Sequence, residues 1–191
     1  MPTPLDFTAE MRALCEDIAR RLPDMAHVDM ARVAVGYRQT RSRVQHGLQA
    51  SLTPLRFEGG AETGLVRGRR YACSRVFDQR GRECLYLLNF YLPRFFNHPL
   101  EEKLTTVLHE LWHIGPRFDG DLRRHHGRCY AHGRSQREFD EQAAALSRKW
   151  LANDPPPGLL VFLEKNFEEL IAEHGAVIGA RYPAPKLAPV A

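Results

Sequence analysis

The run His109-Glu110-Leu111-Trp112-His113 has the residue types and spacing that hold a divalent ion and activate a water beside it. Residues four apart on an α-helix lie one turn apart on the same face, so both imidazoles reach one ion. The glutamate between them projects from a neighbouring face, where it contacts a water at the ion without ligating the ion itself. Imidazole ligands suit zinc, which lowers the pKa of such a water to about 7, within the range of a carboxylate base. The pattern therefore predicts one zinc ion on His109 and His113, with Glu110 as the catalytic base.

The element that carries these residues is predicted as a helix over about 98–114. Asn97 reads as its N-cap, Pro99 falls in the first turn, and Glu101 and Glu102 complement the positive helix end. Leu100, Leu104, Val107, Leu108 and Leu111 form one apolar stripe, and Gly115-Pro116 ends the run. At about 100° per residue, the two histidines point away from that stripe and Glu110 falls beside it. The histidines must then face water or a second layer across a cleft.

A tetrahedral catalytic site needs a third protein ligand and one open position. The polar, Arg- and His-rich stretch 116–134 reads as a long irregular loop, and such loops are often functional. It offers His132 before Gly133, His125 and His126 before Gly127, and Asp119 at the last-ligand position of the longer His-Glu-x-x-His-x-x-Gly-x-x-His pattern. Pro116 stands where that pattern has glycine. Glu138, Asp140 and Glu141 lie on the next predicted helix, which opens with a capping-box sequence at Ser135–Glu138. Tyr130, Arg123 and Arg124 are candidates to steady an oxyanion or hold a substrate carboxylate.

The segment from His109 to Ser135 resembles the putative metallopeptidase family of bacteria and phages, itself SprT-like in appearance. The matching pieces are His-Glu-x-x-His, Phe118-Asp119-Gly120-Asp121-Leu122-Arg123-Arg124, and Tyr130-Ala131-His132-Gly133 followed by Ser135. The resemblance covers residues about 25–153. It implies a zincin-like α+β fold, with a small, mostly antiparallel sheet packed on the motif helix and further helices C-terminal to it. It also implies peptide hydrolysis and favours His132 as the third ligand, ahead of His126 and Asp119. SprT-like proteins often add a cysteine zinc ribbon. Only Cys129 follows the motif here, so no ribbon is expected.

Around the motif, residues 5–22 read as a helix, and 31–37 and 52–57 as strands. Tyr71–Phe77 and Glu83–Tyr91 read as a hairpin about Asp78-Gln79-Arg80-Gly81, whose second arm would be open to strand addition by a peptide. Residues 159–173 read as a last helix before a Pro-rich, extended tail. The expected organisation is a zincin-like domain over 1–154, with residues 155–191 packed on it. Arg67, Arg69, Arg70, Arg75, Arg80 and Arg82 form a second basic cluster, interleaved with Tyr71 and Phe77, that could track a phosphate backbone.

The 191 residues carry a formal charge of +4, which is compatible with acidic partners without requiring them. The N-terminal sequence has no signal-peptide pattern and no stretch has the length of a membrane span, so the expectation is a cytoplasmic protein with reduced cysteines and no membrane association. The function these readings converge on is a zinc metallopeptidase acting on a protein or peptide substrate. The alternatives are a basic nucleic-acid-associated protein with a structural or non-catalytic zinc, and a zinc hydrolase of non-peptide amides.

Overall fold

The computed structural model describes residues 2–40, 47–124 and 136–190. The fold is mixed α+β. Strand β1 (Leu5–Asp6) leads into α1 (Phe7–Arg21), whose N-terminus is capped by Asp6 Oδ1 accepting from the Ala9 N–H at 3.0 Å. The periodic residues Phe7, Met11, Leu14, Cys15 and Ile18 are all fully buried. Phe7 stands edge-on to Tyr37, Phe90, Phe95 and Phe96, so one aromatic ring ties the helix to the sheet beneath it.

Three strands make the central sheet: β2 (Val33–Gln39), β3 (Ala50–Pro54) and, between them, β8 (Tyr86–Leu92). The sheet, expected to be mostly antiparallel, has one parallel and one antiparallel ladder. β8 pairs with β2 in parallel over seven residues and with β3 antiparallel over five. The sequence of β8, Tyr-Leu-Leu-Asn-Phe-Tyr-Leu, has no polar alternation because both of its faces are covered, as the burial of nearly every residue attests. That also corrects the hairpin expectation. The arm 83–91 is not an open edge: it is the middle of the sheet. Only the short strands β6 (Val76–Phe77) and β7 (Glu83–Cys84) pair across the predicted turn. Residues upstream go elsewhere: β5 (Arg69–Cys73) lies between β4 (Thr63–Val66) and β10 (Leu187–Pro189), both antiparallel to it. Cys15, Cys73 and Cys84 are free thiols.

The motif helix is α2 (Leu100–Trp112). Leu104, Val107, Leu108 and Leu111 are completely buried, as the stripe predicts. Its N-cap position is Pro99, without a side-chain cap. Asn97 instead accepts from the Phe167 N–H at 3.4 Å, a tertiary contact that outcompetes the local one. Lys103 is buried on this helix and donates Nζ to the carbonyls of Leu163 and Lys165 at 2.7 and 2.9 Å. That burial pushes its pKa down to about 8.

Helix α3 (Gln136–Leu151) packs along α2, burying Phe139, Ala143, Leu146 and Trp150. Trp150 Nε1 donates to Asp17 Oδ1 at 3.0 Å, which anchors the end of α3 on α1. The single helix expected over 159–173 is broken into α4 (Val161–Glu164) and α5 (Phe167–His174). Asn166 and Glu169 form a reciprocal capping box between them, and a new N-terminus forms there. The chain then returns to the body: β9 (Val177–Ile178) pairs with β1 in parallel, and Gly36 has no room for a Cβ because Tyr182 lies against it. Among the described residues, no helix is long and apolar enough to cross a membrane.

Candidate metal centre

Helix α2 lies with its apolar stripe against the core and turns His109 and His113 toward α3. The two Nε2 atoms converge to 3.2 Å. Two nitrogens bound at 2.0–2.1 Å to one tetrahedral ion stand about 3.3 Å apart, so the pair fits the separation that zinc requires. The donor chemistry fits as well, because imidazole is a borderline ligand suited to a borderline ion.

Each ring is set by α3. Asp140 Oδ1 lies 2.9 Å from His109 Nδ1. A carboxylate only accepts, so Nδ1 carries a proton, and in the neutral imidazole Nε2 then presents its lone pair. Phe139 stacks on His113 with centroids 4.5 Å apart and meets His109 edge-on at 4.8 Å. Helix α3 is thus the second layer that the phase of α2 demands. Its Asp140, one of the carboxylates considered as a ligand, sits on the far nitrogen of a histidine.

Glu110 reaches the edge strand of the sheet. Its Oε2 accepts the Leu52 N–H of β3 at 2.7 Å, and the residue is 9% exposed. Burial pushes its pKa up to about 7, with the Leu52 N–H holding it from rising further. A carboxyl poised there both takes and returns protons near neutral pH.

The chain beyond α2 folds back on the helix end. Gly115 N–H donates to the Asp121 carbonyl at 3.1 Å, and Arg123 N–H to the His113 carbonyl at 2.7 Å. A Cβ on Gly115 would lie 2.7 Å from that Asp121 oxygen, so the return needs glycine at this point. Tyr86, from the central strand, accepts from Gly120 N–H at 3.0 Å and donates to the Asp121 carbonyl at 2.8 Å. Residues 116–124 are therefore a loop without helix or strand, held in place by these hydrogen bonds.

That turn occupies several predicted site residues. Asp119 pairs with Arg117 at 3.0 Å and accepts from Asp121 N–H. Arg124 grips both oxygens of Asp121. Arg123 lies with its guanidinium 3.7 Å from the centre of the Trp112 ring and donates to the Trp112 carbonyl. Of the two arginines considered for an oxyanion, Arg123 thus braces the end of α2 and Arg124 the turn that follows it. Among the described residues, no third His, Cys, Asp or Glu completes a ligand group with the two histidines, Asp119 included. His125, His126, Tyr130 and His132 lie outside the described residues.

Sequence reasoning missed the parts that act through the backbone or through aromatic packing, namely Leu52 N–H on Glu110 and Phe139 on the histidines. The i, i+4 stripe of α3 beginning at Phe139 was the one available signal for the second. Compared with known proteins, the chain matches no protein-family model, no curated protein and no solved structure.

Proposed function

We propose that this chain is a zinc-dependent metallopeptidase of zincin-like fold, akin to the putative metallopeptidases of bacteria and phages. The observation that carries the reading is the 3.2 Å approach of His109 Nε2 and His113 Nε2 beside a buried Glu110. In this reading His109, His113 and His132 hold one ion, with His126 as the other candidate for the third place. Bound there, zinc supplies a Lewis acid for a peptide carbonyl and lowers the pKa of a water.

The remaining work falls to the chain. Leu52 N–H fixes one oxygen of Glu110, and the other takes the proton of the attacking water and returns it to the departing amine. Asp140 keeps His109 in the tautomer and orientation that a ligand needs. Phe139 shields one flank of both rings from water.

The competing arrangement is a structural zinc enclosed by four side chains. X-ray absorption at the zinc edge of the full chain separates the two. The expected first shell is three imidazole nitrogens and one solvent oxygen. Four side-chain ligands, or any thiolate from Cys129, would overturn the catalytic reading.

A further inference from the structure

The β4–β5 hairpin carries a feature that the metal centre does not use. Its ladder runs Thr63 opposite Ala72, Gly64 opposite Tyr71, Leu65 opposite Arg70 and Val66 opposite Arg69, and leaves a two-residue loop of Arg67 and Gly68. Both loop residues have positive φ, 49° and 78°. Tight hairpins need that backbone, but position one normally takes Asn, Asp or Gly. An arginine held in the left-handed region at a hairpin tip is a side chain retained against the preference of its backbone.

Side chains on paired strands alternate between the two faces. Arg69 is on the face of Gly64, which Phe57 covers, since a Cβ on Gly64 would come within 2.2 Å of that ring. Arg70 is on the opposite face with Leu65, itself 70% exposed. Beyond Val190, whose N–H donates to the Arg70 carbonyl at 3.0 Å, the ribbon is only two strands wide. Arg67 therefore leaves the narrow end at its tip, and Arg69 and Arg70 leave just behind it on opposite faces.

Some exposed arginines are neutralised by carboxylates, Arg82 by Asp78 and Arg137 by Glu141, while others, such as Arg80 and Arg148, have no ion pair among the described residues. What marks this hairpin is that three of the unpaired kind fall within four residues. Among the described residues Arg67, Arg69 and Arg70 have no acidic partner. Arg70 reaches only the Thr63 hydroxyl at 3.1 Å. Strands β4, β5 and β10 contain no Asp or Glu, and Lys186 precedes β10.

We propose that this hairpin is a binding site for duplex DNA, with the tip entering a groove and the three guanidinium groups on backbone phosphates. Two-stranded ribbons fit the major groove, about 12 Å wide, and charges on both faces of a ribbon meet phosphates on both walls of a groove. A flat anionic surface would meet only one face. The site is independent of the metal centre.

The test is fluorescence anisotropy of the full chain with a labelled mixed-sequence duplex, over a salt series. Replacing Arg67, Arg69 and Arg70 together by glutamine is expected to weaken binding at least tenfold at low salt. The slope of log affinity against log salt should become shallower by about 3, as the loss of three phosphate contacts requires. Arg137→Gln, Arg148→Gln and Lys165→Gln combined remove the same charge elsewhere and should leave affinity within about twofold. Thermal melts of both triple variants report whether each is folded. Four results would overturn the proposal: no duplex binding at low salt, equal loss in both triple variants, tighter binding to single strands, or preferential binding to vesicles of anionic lipid.

Discussion

Glutamine in place of Glu110 is expected to leave the fold and the bound zinc intact while turnover falls by about 10²–10⁴, the usual contribution of a positioned general base. The substitution is nearly isosteric, and its carbonyl oxygen still accepts the Leu52 N–H that Glu110 Oε2 accepts at 2.7 Å. The buried position has little room to reorganise, so the amide occupies the place of the carboxylate. What it lacks is an oxygen that takes a proton. The loss should therefore appear in kcat, with KM little changed. Zinc content and thermal stability, measured on the same preparation, show that nothing else was lost. A Glu110→Gln protein retaining more than about a tenth of the wild-type kcat would remove Glu110 from the mechanism.

Zinc content should respond to the ligands and their support in a graded way. His113→Ala and His109→Ala each remove one of the two nitrogens that converge to 3.2 Å, and both are expected to abolish stoichiometric zinc. Asp140→Ala leaves both nitrogens in place and loosens only the His109 ring. Its zinc affinity, measured by competition with a chromogenic chelator, should fall about 10–100-fold, as support of this kind typically contributes. A loss in Asp140→Ala as complete as in His109→Ala would make Asp140 a ligand and not a brace. His113 is packed against Phe139, so its removal also empties part of the α2–α3 interface. His109 is less enclosed, and His109→Ala is the cleaner probe of metal loss at constant fold.

What the sequence disclosed follows from which forces are local. The α2 stripe was legible because Leu104, Val107, Leu108 and Leu111 recur with the helical period, and all four are buried. The same period placed His109 and His113 away from the core. It could not say what meets them, since the partner layer comes from α3, about thirty residues on. Asp140 looked like any carboxylate on an exposed helix face, and only the packing of α3 on α2 sets it on His109 Nδ1.

The errors share that cause. Asn97 has the type of an N-cap, yet its side chain serves the start of α5, seventy residues away. Residues 71–77 and 83–91 carry β-formers on either side of a turn, like two arms of one hairpin. β5 is instead completed by β10 at the far end of the chain, and β8 is drawn between β2 and β3. The break between α4 and α5 was legible in principle, because Asn166 and Glu169 have the spacing of a capping box.

The measurement that bears most directly on the central claim is hydrolysis of an unfolded protein substrate by the purified full chain. It is followed before chelation, after zinc is stripped with a chelator, and after one equivalent of zinc is restored. The account predicts new substrate N-termini with the metal present, none after stripping, and recovery on restoration, with Glu110→Gln inactive throughout. Cleavage that survives complete removal of metal, or a fully zinc-loaded chain that cleaves no peptide bond, would contradict it.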